Sequence, residues 1–268
     1  MAIGTVIVPA FDPKGVQQAV SAALPFVESQ GAHLVGLHLR ERYPASQVPE
    51  YNWHAAVLKE FEAGVAARAD EIRHAFEVAK GSADATWLQP EGSEGLDFGP
   101  ALRAADLIVV PSPKCCDRPD AAGLIEDILI GSGRPVLLAP GTVPPAVPKS
   151  YLIGWNGSLE AASAVAVARP LLDLAERVSV VSVGRVTGLV PTAEAVADTL
   201  RRGGIAAEVT MLDKKGSVME TLRSEAAAAD IDTLLVGAYS HSRIRERVLG
   251  GVTRHTVTDP FMRTLLVH

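Results

Sequence analysis

The residues best equipped for chemistry lie together between positions 237 and 255. They are Gly237, Gly250 and Gly251, the hydroxyls of Ser240 and Thr253, His241, and Arg243, Arg245, Arg247 and Arg254. A short apolar run, Thr233 to Val236, leads into Gly237, and the pattern from Val252 onward reads as the start of a helix. This order suits the binding of a phosphate chain. Glycines let the backbone come close, free amides at a helix start donate hydrogen bonds, and the helix dipole favours negative charge there. Four arginines against Glu246 alone give residues 241–255 a charge of +3 (His neutral) in a chain of net charge −6. That local excess adds to the attraction for an anion. The stretch is neither a Walker sequence, which needs Gly-Lys-Ser/Thr, nor a Rossmann Gly-x-Gly-x-x-Gly. Glu246 and His241 are the nearest candidates for a general base. Neither is an evident base from the sequence, so no catalytic residue is assigned, and no metal ligand set is evident.

A loop of this kind needs a strand to launch it and a neighbouring strand to face it, and the chain supplies both twice. Residues 140–150 contain Pro140, Pro144, Pro145 and Pro148. So many prolines read as an extended linker, because proline suits neither a helix interior nor a central strand. On the first side the pattern predicts strands at 5–8, 33–39, 85–88, 106–110 and 135–138. Helices are expected near 16–29, 98–104 and 121–130, with a longer one whose apolar face is Leu58, Phe61, Val65, Ile72 and Phe76. On the second side strands are expected at 151–156, 178–183, 207–212, 233–236 and 263–268. Helices are expected at 158–176, 192–202 and 218–229, and from 252. Asp106 to Val110 matches Asp232 to Val236, and Phe11-Asp12 matches Trp155-Asn156.

Nearly wholly apolar strands alternating with helices indicate parallel sheets covered on both faces. The fold class is therefore α/β, with two tandem doubly wound domains, each built on a five-stranded parallel sheet. The expected boundaries are 1–140, a proline-rich linker at 141–150, and 151–268. In such sheets ligands bind at the carboxyl ends of the strands where strand order reverses. The loop at Trp155, Asn156, Gly157 and Ser158 should therefore meet the loop that begins at Gly237.

Taken together, these residues make the chain resemble the universal stress protein family, in a tandem form that spans nearly its whole length. Nucleotide-binding members of that family carry Gly-x2-Gly-x9-Gly-Ser/Thr after the fourth strand and an Asp at the end of the first. In this sequence the loop pattern falls on Gly237, Ser240, Gly250 and Gly251, and the Asp on Asn156. The resemblance implies that Gly237, Ser240, His241, Gly250, Gly251, Val252 and Thr253, just after Val236, hold phosphates. Trp155, Asn156, Gly157 and Val183 would line the base and ribose pocket. Three departures from the pattern, Ser240 for Gly, Gly251 for Ser/Thr and Asn156 for Asp, would each weaken binding by about 1 kcal/mol. The first half differs more. Pro111 and Pro113 supply no N–H where a phosphate would need amides, and Gly131 reads as a helix C-cap. That half is expected to be a scaffold without a nucleotide site.

The function implied by the resemblance is that of a stress-response regulator that binds ATP in its second domain, with little or no turnover. ADP or another adenylate would serve equally, and Mg would come only with the nucleotide. The alternative is a tandem protein that binds no nucleotide and works as a protein-interaction module. Two family domains in one chain suggest an internal pseudo-dimer, in which the resemblance implies that residues 136–138 pair with 264–267, and a homodimer is open. The net charge of −6 argues against nucleic acid as a partner. No run reaches the ~20 apolar residues of a membrane span, and Met1 to Val8 has no signal-peptide pattern, so the expectation is cytoplasmic. Cys115 and Cys116 are adjacent, a spacing that suits neither a disulfide framework nor a zinc site.

Overall fold

The computed structural model describes residues 3–39, 55–90, 98–141, 146–184, 191–238 and 256–268. The first half runs β1 (Thr5–Ala10), α1 (Pro13–Gln30), β2 (His33–His38), α2 (Ala55–Lys80), β3 (Ala85–Leu88), α3 (Gly99–Leu102), β4 (Leu107–Pro111), α4 (Ala121–Ser132) and β5 (Val136–Ala139). The second half runs β6 (Ser150–Gly154), α5 (Leu159–Val167), α6 (Arg169–Leu172), β7 (Arg177–Val183), α7 (Ala193–Arg202), β8 (Ala207–Leu212), α8 (Val218–Ala228), β9 (Thr233–Gly237) and β10 (Arg263–Val267).

The strands form one ten-stranded sheet in the order β3-β2-β1-β4-β5-β10-β9-β6-β7-β8. Each half is parallel and has the same internal order, so strand order reverses between β1 and β4 and again between β6 and β9. The halves join through an antiparallel pair, with Thr264 opposite Leu138 and Leu266 opposite Val136. Pairing these strands removes two apolar edges that would otherwise be open to association. Both are buried throughout.

Side chains alternate across the sheet and build a core on each face. One core holds Val8, Ala10, Phe26, Phe76, Ile153, Trp155 and Leu200, under α1, α2, α5 and α7. The other holds Ile108, Val110, Ile125, Leu152, Met219, Leu222 and Val236, under α4 and α8.

The two halves share a device at the foot of the sheet. Asp106 Oδ2 accepts the amides of Gly4 (2.8 Å) and Thr5 (3.0 Å). Asp232 Oδ2 accepts those of Lys149 (3.0 Å) and Ser150 (3.3 Å). Each carboxylate thus caps the start of the neighbouring strand, which explains why Asp opens both apolar runs. These bonds also fix the register of the duplication. Thr5 corresponds to Ser150, so Ala10 and not Phe11 corresponds to Trp155. Counting back from the helix caps instead, Asp12 matches Ser158. The second loop is one residue longer, and the expected match of Phe11-Asp12 with Trp155-Asn156 is off by one.

Two helix expectations need correction. The single helix at 158–176 is broken at Ala168 into α5 and α6, because Pro170 has no N–H to continue the ladder. The C-cap of α4 is Gly133, at φ 59°, and not Gly131, which lies inside the helix. Only Gly133 takes the left-handed conformation that ends a helix this way.

Candidate functional site

The site at the reversal between β6 and β9 is built by a tight exit from β6. The Trp155 amide donates to the Val181 carbonyl (2.8 Å), and the Trp155 carbonyl accepts from Ser182 Oγ (2.9 Å). The chain then turns through Gly157 at φ 75°, a conformation that glycine adopts without strain. Asn156 Oδ1 accepts the Ser158 amide (3.0 Å), and Ser158 Oγ accepts the Ala161 amide (3.2 Å) as the N-cap of α5. The first turn of α5 lies directly over the end of β9. A Cβ placed on Gly237 would stand 2.4 Å from the Glu160 carbonyl carbon and 2.6 Å from the Ala161 nitrogen. Gly237 therefore answers a need for close backbone approach, whatever else it does.

Between these parts is a cavity of about 220 Å³, lined by Gly154, Trp155, Asn156, Ser158, Ala161, Val181, Val183, Val218, Leu222, Val236 and Gly237. Trp155, Asn156, Val183, Val236 and Gly237 are thus brought together, as the strand order requires, while Gly157 shapes the turn beside them. Ser240, His241, Gly250, Gly251, Val252 and Thr253 lie outside the described residues. Trp155 is 4% exposed and its indole N–H donates to the Pro191 carbonyl (2.8 Å). It presents a fixed wall to the cavity. Asn156 holds its own turn with the amide oxygen, and its NH₂ has no partner among the described residues. Val218 and Leu222 are lining residues that nothing in the sequence singles out. They stand one helical turn apart on α8 and have the spacing of ordinary core until the topology carries α8 to this crevice.

In the first half the chain after β4 packs onto the start of α1. A 3-10 turn at Pro113–Cys115 follows β4, and Cys116 Sγ would stand 2.8 Å from a Cβ on Gly15, in the first turn of α1. Asp12 is fully buried. Its carboxylate accepts the amides of Gly15 (2.8 Å) and Asp117 (3.1 Å) and pairs with Arg68 (3.4 Å). Burial, with the Asp12 charge next, pushes the Cys116 thiol up to about 12. A thiol so held carries almost no thiolate at neutral pH and reacts slowly. Iodoacetamide at pH 8 should therefore modify Cys116 at least about tenfold more slowly in the folded protein than in urea. Peptide mass mapping over time checks this, and equal rates would refute it.

Among the described residues no group of three or more His, Cys, Asp or Glu is placed to hold a metal ion. Nor is any of their helices long and apolar enough to cross a membrane.

No family model matches the sequence, and no curated protein does. Solved structures do match the fold. A universal stress protein from Archaeoglobus fulgidus DSM 4304 is 13% identical with a TM-score of 0.68, covering 98% of this chain and 95% of that one. A functionally unknown protein from Pseudomonas aeruginosa PAO1 is 15% identical with a TM-score of 0.58, covering 99% of this chain and 92% of that one. Two halves of identical strand order, each with a crevice at its reversal point, define a duplicated doubly wound protein. The chain has the universal stress protein fold in tandem form.

Proposed function

We infer that the second half binds an adenine nucleotide, ATP or a related adenylate, in the crevice between β6 and β9. In this reading residues 1–140 and 151–268 are the two domains joined by 141–150, and the protein is a cytoplasmic stress-response regulator with little or no turnover. The observation that carries it is the contrast between the two crevices. In the first, Cys116 and the Asp117 amide pack onto the start of α1, whereas the second keeps a cavity with apolar walls and a few polar groups. That composition suits a planar base and its sugar. Ser240, His241 and Gly250 to Thr253 would hold the phosphates, with Mg arriving on the nucleotide. Asn156 would offer its NH₂ to the base or ribose.

Equilibrium dialysis of labelled ATP against the whole protein tests the reading. Saturable binding of one nucleotide per chain is expected, and the double reversal Ser240→Gly, Gly251→Ser should tighten it about tenfold or more, at ~1 kcal/mol per restored contact. No retention of ATP at millimolar concentration would overturn it in favour of an interaction module.

A further inference from the structure

The second half carries another concave site, on the helical face that the first half closes. In the first half, α2 packs along α1 and buries Ile72 and Phe76 in the shared core. In the second half the counterpart of α2 is α7, only 10 residues long. Between α5 and α7 a groove of about 420 Å³ remains. Its walls are Val165, Ala166, Val196 and Leu200, and its floor is Trp155. Among the described residues that line it, the one charged is Arg169, at the start of α6. Its guanidinium is fixed, with Nε donating to Asp173 (2.7 Å) and Nη2 to the Gly203 carbonyl (2.6 Å). Nη1 has no partner among the described residues.

We propose that this groove is a binding site for a small amphipathic carboxylate, whose apolar tail lies on Trp155 between α5 and α7 and whose head meets Arg169. The volume lies in the range of small-molecule sites, and such sites are mostly apolar with few polar anchors. A rigid guanidinium with a spare donor selects a carboxylate over a neutral head. The site is separate from the nucleotide crevice and does not depend on it, although Trp155 borders both.

Titration calorimetry of the full chain with decanoate, below its micelle concentration, tests the proposal, with decanol as the probe that lacks the charge. Saturable binding of one decanoate per chain is expected. Ala166, on the exposed face of α5, is the place to fill the groove without disturbing the core. Ala166→Phe should weaken decanoate binding by about tenfold or more, the loss of roughly two buried CH₂ contacts. Arg169→Gln should cost decanoate about tenfold, the worth of one charge-assisted hydrogen bond, and leave decanol within about twofold. Thermal unfolding of both variants confirms that they fold. Absence of saturable decanoate binding at millimolar concentration would overturn the proposal. So would an Ala166→Phe variant that binds as the wild type does, or equal losses of decanoate and decanol in Arg169→Gln.

Discussion

Gly237→Ala is expected to lower the stability of the whole chain by about 1–3 kcal/mol, the usual cost of overpacking a well-filled contact, and to abolish the ATP binding proposed for the crevice between β6 and β9. The added methyl would meet the Glu160 carbonyl carbon at 2.4 Å and the Ala161 nitrogen at 2.6 Å. Both are backbone atoms of the first turn of α5, so no side chain can swing aside. Relief must come from α5 itself. If α5 retreats, Ser158 and Ala161 move with it, and both line the cavity. The hydrogen bond from Ala161 to Ser158 Oγ lies in the same turn. Stability and site therefore fail through one displacement. Gly123→Ala is the matched control, since a Cβ there meets nothing within 4 Å. In α4 it should be neutral or stabilising by up to about 1 kcal/mol. Urea denaturation of the two variants gives the comparison, and Gly237→Ala with wild-type midpoint and ligand affinity would refute this account.

That steric demand also marks how far the sequence could be read. Gly237 stood out as a phosphate-loop glycine, and nothing in one dimension says that α5 folds back over it. The strands were legible because their residues are nearly all apolar, as in β4 and β10, and the linker was legible because of its prolines. From these the doubly wound class and the crevice at β6 and β9 followed, whereas the central pairing of β5 with β10 was implied only by the family resemblance. Positions that depend on a single residue's backbone were less legible. Gly131 and Gly133 look alike in the sequence, and only φ distinguishes the cap from the packed helix position. The match of Phe11 with Trp155 failed because the strand-start bonds to Asp106 and Asp232 set Thr5 against Ser150, a register that apolar runs alone do not fix. For the first half, the missing amides of Pro111 and Pro113 are the ground for expecting a scaffold without a nucleotide site. The contacts of Cys116 with Gly15 and of the Asp117 amide with Asp12 are set by a turn that no periodicity announces.

Asp232→Ala should be the more damaging of two chemically identical truncations, losing about 3–5 kcal/mol, the cost of breaking a largely buried charge pair. Asp106→Ala should lose about 1–2 kcal/mol, within the range for single charged hydrogen bonds at an exposed site. Both carboxylates accept two strand-start amides, so those bonds alone would predict equal losses. The difference lies in what else Asp232 holds. Its Oδ1 accepts from Thr233 Oγ1 (2.8 Å), and Arg263 Nη2 stands 3.8 Å away with a side chain only 9% exposed. Arg263 Nε has no hydrogen-bond partner among the described residues. Removing Asp232 therefore leaves a nearly buried guanidinium with the Ala146 carbonyl as its remaining partner there. Arg263 is the first residue of β10, the strand that joins the halves, so the damage should reach the central seam. Asp232→Asn should recover part of the loss, because the amide oxygen still accepts the two backbone bonds while the charge opposite Arg263 is gone. Urea denaturation at neutral pH ranks the three variants. An Asp106→Ala variant as unstable as Asp232→Ala would mean that the strand caps dominate and that Arg263 is held by other groups.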